Sequence, residues 1–272
     1  MKLKEVFYLV GLKPKPKTYG FEINRFELPS DGSVAYAQWL HPKEGGKVIS
    51  QADVDELRKF LAPGDVAVDI GAHAGDTAIP IALAVGKTGA VFALEPNRFV
   101  FEVLEKNAEL NREKTNIIPL KFAATETDGE FEFNYSDAGF CNGGWHSGLP
   151  AWRHAHNFKL KVEGKNLSNF LLTNYPEAIE KIRFIKVDAE GYDFSVLKSL
   201  ETLIAAQKPY IKAEVYKLSK FSERRAFFGF LKNLGYEIYK LESEANYRGE
   251  LLETAEAMGR WRHFDIFCAP AK

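Results

Sequence analysis

Two rhythms of apolar residues run along this chain. From residue 66 onward, short mostly apolar runs without strict alternation take turns with longer stretches in which apolar side chains recur every three or four positions. Short apolar runs without strict alternation are the pattern of strands buried on both faces, and longer periodic stretches that of amphipathic helices. The series reads as a strand over 66–70, a helix over 76–85, a strand over 91–94, a helix over 99–111 and a strand over 117–123. It resumes with a strand over 184–187, a helix over 194–206, a strand over 210–215 and a helix over 224–234. Runs over 236–241 and 263–268 complete the sheet, with one antiparallel strand expected at its edge. Strands alternating with helices predict an α/β fold whose mostly parallel sheet carries helices on each side.

Ahead of residue 66 the rhythm differs. Runs over 21–28 and 34–40 flank Ser30-Asp31-Gly32-Ser33, a turn signal that predicts a β-hairpin. Ser50 with Asp53 three positions later opens a helix that runs to Leu61 and stops at Pro63-Gly64. Residues 1–50 are therefore read as an N-terminal extension, and 51–272 as the main domain. The rhythm also fails over 127–157. Glu130-Phe131-Glu132-Phe133 alternates like an exposed strand, and a polar loop rich in glycine and aromatics follows from Ser136 to His146. Long irregular loops inside a domain are usually functional or disordered, and the aromatic content argues for function.

Composition narrows the partners. At 272 residues, with 46% hydrophobic and 27% charged, the chain can bury one substantial core. The 36 basic and 37 acidic residues nearly cancel, which leaves no global field to draw in nucleic acid or an anionic membrane. Cys141 and Cys268 allow at most one disulfide and no cysteine-based zinc site, so the expected compartment is the cytoplasm. No apolar run nears the about 20 residues that span a bilayer. Residues 1–12 lead into Lys13-Pro14-Lys15-Pro16-Lys17 with no small-residue cleavage site, and read as a short amphipathic element and a basic linker. Weak peripheral membrane contact through that linker is the one option left there.

The chemistry begins at Val66-Ala67-Val68-Asp69-Ile70-Gly71-Ala72-His73-Ala74-Gly75-Asp76-Thr77, a strand, a glycine turn and a helix start. Backbone amides exposed at such a turn suit a small polar ligand. Glu95, after the next apolar run, lies where a ribose would need an acceptor. A dinucleotide turn wants Gly-x-Gly-x-x-Gly, and here Ala72 and His73 interrupt it; Asp69 would also repel a diphosphate. An acid at that place fits better beside an amino-acid ammonium, as in S-adenosylmethionine.

Two further blocks follow in order, Phe92-Ala93-Leu94-Glu95-Pro96-Asn97 and Phe184-Ile185-Lys186-Val187-Asp188-Ala189-Glu190-Gly191-Tyr192-Asp193. With Asn166-Leu167-Ser168-Asn169-Phe170 and Pro209-Tyr210-Ile211-Lys212-Ala213-Glu214, the chain over about 53–239 resembles the FkbM family of S-adenosylmethionine-dependent O-methyltransferases. The Lys-Val-Asp-Ala-Glu-Gly-Tyr block is the most specific of these motifs. The resemblance implies a Rossmann-like doubly wound sheet of seven strands, the class I methyltransferase architecture, with the cofactor across the C-terminal strand ends. It implies that Asp69, Gly71, Ala72 and Gly75 hold the methionine part of the cofactor, and Glu95 the ribose. His73, Thr77 and Pro96 complete the cofactor set, and Ala123 and Ala124 lie near adenine. Family members often carry Asn where this chain has His73.

Methyl transfer to a hydroxyl needs an aligned acceptor and a group that removes its proton. The candidates are Asp188, Glu190, Glu214 and the histidines His73, His146, His154 and His156. Asp188 and Glu190, one residue apart at a strand end, face the same side if the strand continues. Asp188 is read as nearest the transferred group, as base or metal ligand, and Glu190 as orienting the acceptor or supporting the cofactor. The competing reading has both capping the next helix. Asp188 with Glu214 offers a possible pair of ligands for a divalent cation. Trp145, His146, Trp152 and Tyr192 are assigned to the acceptor, although Trp145 and Trp152 equally suit packing of their loop. His154 and His156 read as a ligand pair or as solvated side chains, and Cys141 lacks a flanking base that would make its thiol reactive.

The expected activity is methylation of a hydroxyl on a sugar, glycan, glycolipid or similar natural product. The acceptor is a small molecule or glycan, since no basic stripe carries an aromatic platform for nucleic acid. Two rivals remain: an NAD(P)-dependent oxidoreductase, which the missing middle glycine disfavours, and a non-catalytic binding module on the same sheet.

Overall fold

The structure is a computed structural model that describes residues 17–135 and 158–271. It opens with an antiparallel hairpin, β1 (Phe21–Leu28) and β2 (Gly32–Trp39). Helix α1 (Gln51–Leu57) follows, and Ser50 caps it by accepting the Asp53 amide at 3.2 Å, as its sequence predicts. The series then runs β3 (Val66–Ile70), α2 (Ala78–Val85), β4 (Ala90–Leu94), α3 (Arg98–Glu109) and β5 (Ile117–Leu120). Three strands of a side sheet come next: β6 (Ala123–Ala124), β7 (Gly129–Tyr135) and β8 (Phe158–Lys165). Helices α4 (Leu167–Asn174) and α5 (Pro176–Ile179) lead to β9 (Ile182–Val187), α6 (Asp193–Ser199), α7 (Glu201–Gln207) and β10 (Tyr210–Val215). Helix α8 (Phe221–Asn233), β11 (Tyr236–Lys240), a 3-10 turn at Ala255–Gly259 and β12 (Phe264–Pro270) complete it.

The main sheet has seven strands in the order β11–β12–β10–β9–β3–β4–β5. From β10 to β5 all neighbours are parallel. Side chains that alternate along each strand feed two cores. Val68, Ile70, Phe92, Leu94 and Ile185 join helices α6 to α8, while Ala67, Val91, Ala93 and Phe184 join α1, α2 and α3. This is the doubly wound α/β architecture that the apolar runs predict. Strand order reverses at β3, because the chain moves outward through β4 and β5 and then returns to β9 on the other side. Ligand sites of open α/β sheets form at such a switch point.

Three expectations need correction. The antiparallel strand is not at the edge: β12 lies between β10 and β11 and runs antiparallel to both. Its sequence, Phe264-Asp265-Ile266-Phe267-Cys268-Ala269, is apolar enough for an interior strand, whereas Tyr236-Glu237-Ile238-Tyr239-Lys240 buries only alternate residues, as an edge strand does. The run over 117–123 is not one strand. It leaves the main sheet after Leu120, and Ala123–Ala124 pairs with Gly164 and Lys165 in the side sheet. The helix over 194–206 is broken at Leu200 (φ −101°, ψ 7°), one residue after Ser199 turns its hydroxyl onto the Val196 carbonyl. The alternation over 130–133 does form a strand, part of Gly129–Tyr135, which pairs along its full length with β8.

The hairpin is fastened to the main unit by two asparagines on one face of α3 and the turn after it. Asn107 accepts the Ala37 amide at 2.7 Å and donates to the Ala37 and Ala74 carbonyls at 3.0 and 2.7 Å. Asn111 does the same for Ala35, accepting its amide and donating to its carbonyl, both at 2.9 Å. Side-chain amides here replace the neighbouring strand that β2 lacks on that edge.

Candidate active site

The C-terminal ends of β3, β4 and β9 open into one cavity of about 290 Å³. The turn after β3 passes very close to the end of β9. Gly71 and Ala72 both donate to the Leu94 carbonyl, at 3.0 and 2.9 Å, and the Asp188 amide donates to Ile70 O at 3.0 Å. A Cβ on Gly71 would stand 2.0 Å from the Asp188 carbonyl oxygen, and its φ is +76°. Only glycine fits this crossing. Gly75 (φ +96°) performs the second reversal, against Leu104 of α3.

Of the cofactor candidates, Gly71, His73, Thr77, Glu95, Pro96, Ala123 and Ala124 line the cavity. Asp69, Ala72 and Gly75 do not; they lie behind its wall. For Asp69 the reason is electrostatic. Its fully buried carboxylate pairs with Lys186 Nζ at 3.0 Å through Oδ1 and accepts the Thr77 hydroxyl at 2.6 Å through Oδ2. Lys186 also donates to the Gly71 carbonyl at 2.7 Å and stands 3.9 Å from Asp188 Oδ2. Burial alone would lower the lysine's pKa, but Asp69, with Asp188, holds it above the ordinary value. The acid of the first motif is thus occupied by the chain's own cation, and it braces the turn.

Glu95 forms the far wall. Its carboxylate accepts the His73 amide at 3.1 Å and the Asn97 amide at 2.7 Å, and burial pushes its pKa up to about 7. Asp188, Ala189, Glu190 and Tyr192 border the cavity on the β9 side. Asp188 is half-exposed, whereas burial and then the Asp188 charge raise Glu190 to about 7. Neither carboxylate caps α6. The amides of Ala189 and Gly191 go to the buried Asp193, at 3.3 and 3.1 Å. Glu190 (φ 51°) and His73 (φ 52°) hold left-handed backbone without being glycines, and both line the cavity. Each such residue stores about 1–3 kcal/mol of strain, a pattern concentrated at functional sites.

Glu214 does not join Asp188. It lines a separate cavity with Asp193, Ser219 and Arg224, and its Oε1 lies 3.3 Å from His263 Nε2. Burial, with the charges of Asp188 and Asp193, pushes it up to about 9. Among the described residues no group of three or more histidine, cysteine or acidic side chains is placed to hold a metal ion, and Asp188 and Glu214 line different cavities. Trp145, His146 and Trp152, with Cys141, His154 and His156, lie outside the described residues.

The cavity also holds residues that the sequence reading passed over: Glu44, Lys47, Asp76, Phe133, Tyr135 and Lys186. Lys186 left a signal, since one charge inside Phe184-Ile185-Lys186-Val187 requires a buried partner. Phe133 and Tyr135 left one as well, in their period of two. Glu44 and Lys47 left none; they come from an irregular segment far from any motif.

A family model described as the methyltransferase FkbM domain matches residues 69–248. Among curated proteins no sequence matches. Among solved structures, an FkbM methyltransferase from Methylobacillus flagellatus KT aligns at 17% identity and a TM-score of 0.45. That alignment covers 76% of this chain and 44% of the other, so the chain spans less than half the length of that relative. An S-adenosylmethionine-dependent O-methyltransferase from Thermotoga maritima aligns at 15% identity and a TM-score of 0.41, over 100% of this chain and 82% of its own. Aeropyrum pernix fibrillarin, solved with natively bound S-adenosyl-L-methionine, aligns at 12% and 0.40, over 93% and 100%. No helix among the described residues is long and apolar enough to cross a membrane.

Proposed function

Because the chain belongs to the FkbM methyltransferase family, we propose that it transfers a methyl group from S-adenosylmethionine to a hydroxyl of a sugar, glycan, glycolipid or similar natural product. One observation carries the choice of cofactor. Among the described residues the cavity is lined by five carboxylates, from Glu44, Asp76, Glu95, Asp188 and Glu190, against two lysines. That excess of negative charge suits a cationic sulfonium with its ammonium and repels the diphosphate of a nicotinamide dinucleotide. The oxidoreductase reading therefore loses support on charge as well as on glycine spacing.

In this reading Glu95 faces the ribose hydroxyls, and Phe122, Ala123 and Ala124 offer an apolar wall to adenine. S-adenosylmethionine, when bound, supplies an electrophilic methyl group on sulfur. Glu190 is the better base of the acidic pair. A carboxylate near 7 is ionised in part at neutral pH and still basic enough to take a proton from the attacking hydroxyl. The acceptor oxygen gains the methyl, Glu190 gains the proton, and the carbon–sulfur electron pair stays on sulfur. Asp188, half-exposed beside Lys186, orients the acceptor, and Tyr192, Phe133 and Tyr135 flank it. This reverses the roles first expected of Asp188 and Glu190, and burial is the reason.

Isothermal calorimetry of the purified chain with S-adenosylmethionine tests the cofactor. One-site binding is expected, and heat with NADH but none with S-adenosylmethionine would overturn the reading. A mass-spectrometric screen of sugars and lipid-linked glycans for the gain of one methyl then identifies the acceptor.

A further inference from the structure

If the cofactor is S-adenosylmethionine, its ammonium needs an acid, and Asp69 is already paired with Lys186. We infer that Glu44, in the segment between β2 and α1, is the carboxylate that receives the amino-acid ammonium of the cofactor. This inference rests on the methyltransferase reading above and adds a residue that lies outside the family-matched region, 69–248.

Glu44 lines the same cavity as the β3 turn and Glu95. Its side chain is only 5% exposed, and Oε1 is buried without a hydrogen bond. A buried carboxylate left in that state is costly unless a ligand completes it. The cations around it do not. Lys47 Nζ stands 3.5 Å from Oε1 but is committed to Asp76 Oδ2 at 2.7 Å. His73 Nε2 is 3.8 Å from Oε2, and burial holds that imidazole below its ordinary pKa, so it is uncharged at neutral pH. Two carboxylates, Glu44 and Asp76, thus share one lysine, and this corner lacks one positive charge. The Tyr36 hydroxyl, buried and also without a hydrogen bond, lies within the field of both acids. Tyr36 stands behind the cavity lining, so the match to a ligand is made by Glu44, whose oxygen without a hydrogen bond suits the ammonium of an amino-acid end.

The segment is held for this purpose. Gln38, buried in β2, donates to the Gly45 carbonyl at 3.2 Å and accepts the Lys47 amide at 2.7 Å, and the Glu44 amide donates to His41 O at 2.9 Å. Its backbone is therefore set by β2, with no demand on the ligand to order it.

The experiment compares two ligands that share the adenosine part. S-adenosylhomocysteine carries the amino-acid end, and 5′-methylthioadenosine lacks it. For Glu44→Gln, calorimetry is expected to show S-adenosylhomocysteine binding weakened at least about 30-fold, the scale of a broken buried charge pair, with 5′-methylthioadenosine within about threefold of wild type. Circular dichroism and thermal unfolding check that the variant folds; if Glu44→Gln does not fold, Glu44→Asp carries the same comparison, and the outcomes are read only in a folded variant. Equal loss for both ligands, or no loss for either, overturns the assignment. Wild type that binds neither ligand overturns the cofactor reading itself, and this inference with it.

Discussion

The proposed base, Glu190, combines three features at one residue. Its backbone is strained, its carboxyl is raised to about 7, and Asp188 stands two positions away. Raising the pH strips its proton, so the wild-type rate is expected to rise with pH through a midpoint of about 7. Glu190→Gln should slow turnover at least about a hundredfold and abolish that limb, with cofactor affinity within about threefold. Asp188→Asn should slow turnover yet keep the limb; if the limb vanishes with Asp188 instead, the two roles are exchanged. Sequence could mark this pair but not divide its labour. Spacing shows that Asp188 and Glu190 share a side, whereas the difference between them is burial, which only the packed structure supplies. Asp69 is the opposite case. Its place in the motif suggested a ligand contact, and a lysine 117 positions along, Lys186, claims it instead. Long-range pairs of this kind leave no local trace beyond a charge where none belongs.

Among the elements, α3 joins the cofactor turn to the hairpin. Asn107 touches both, through Ala37 and Ala74, and makes three buried bonds. Replacing it with Leu strands those backbone groups, at about 1–3 kcal/mol each. Asn107→Leu is therefore expected to lower stability by about 3 kcal/mol in denaturant unfolding. It should also weaken S-adenosylmethionine binding, because Ala74 belongs to the turn. Unchanged affinity would show that the turn holds its shape without this tie. The central strands were legible because their runs are mostly apolar without strict alternation, and the Ser50 cap because its signal is local. β8 carries the same alternation, Phe158-Lys159-Leu160-Lys161-Val162-Glu163, but its partner β7 lies on the far side of residues 136–157, and such a pairing leaves no local sign. The place of β12 was readable in principle. Its apolar run is longer than that of β11, and interior strands are the more apolar.

For the whole molecule, buried acids set the response to pH. Glu95 and Asp193 are raised to about 7 and Glu214 to about 9, chiefly by burial. In each case the folded state holds a proton that the unfolded chain has already released above its ordinary carboxylate value. Stability from these groups is therefore fully present below about pH 4 and is lost as pH rises through 7 and then 9. The thermal midpoint is expected to fall steadily between about pH 6 and pH 9.5. Glu214→Gln should flatten the upper part of that decline, and a midpoint that climbs over this range would refute the assignment. These three acids favour the folded state when protonated, whereas the proposed base Glu190 acts only after losing its proton, so their contribution to stability and the proposed activity run in opposite directions near neutrality.

The position of β12 has a consequence in time. A chain made from its N-terminus forms β9 and β10 first, then β11, and only later residues 264–270. Until that last segment leaves the ribosome, β10 has β9 on one side and a bare row of amides and carbonyls on the other, while β11 has no neighbour in the sheet. The nascent chain must keep a slot open between two finished strands and admit a third that runs the opposite way. Exposed edges of this kind are where nascent chains mispair.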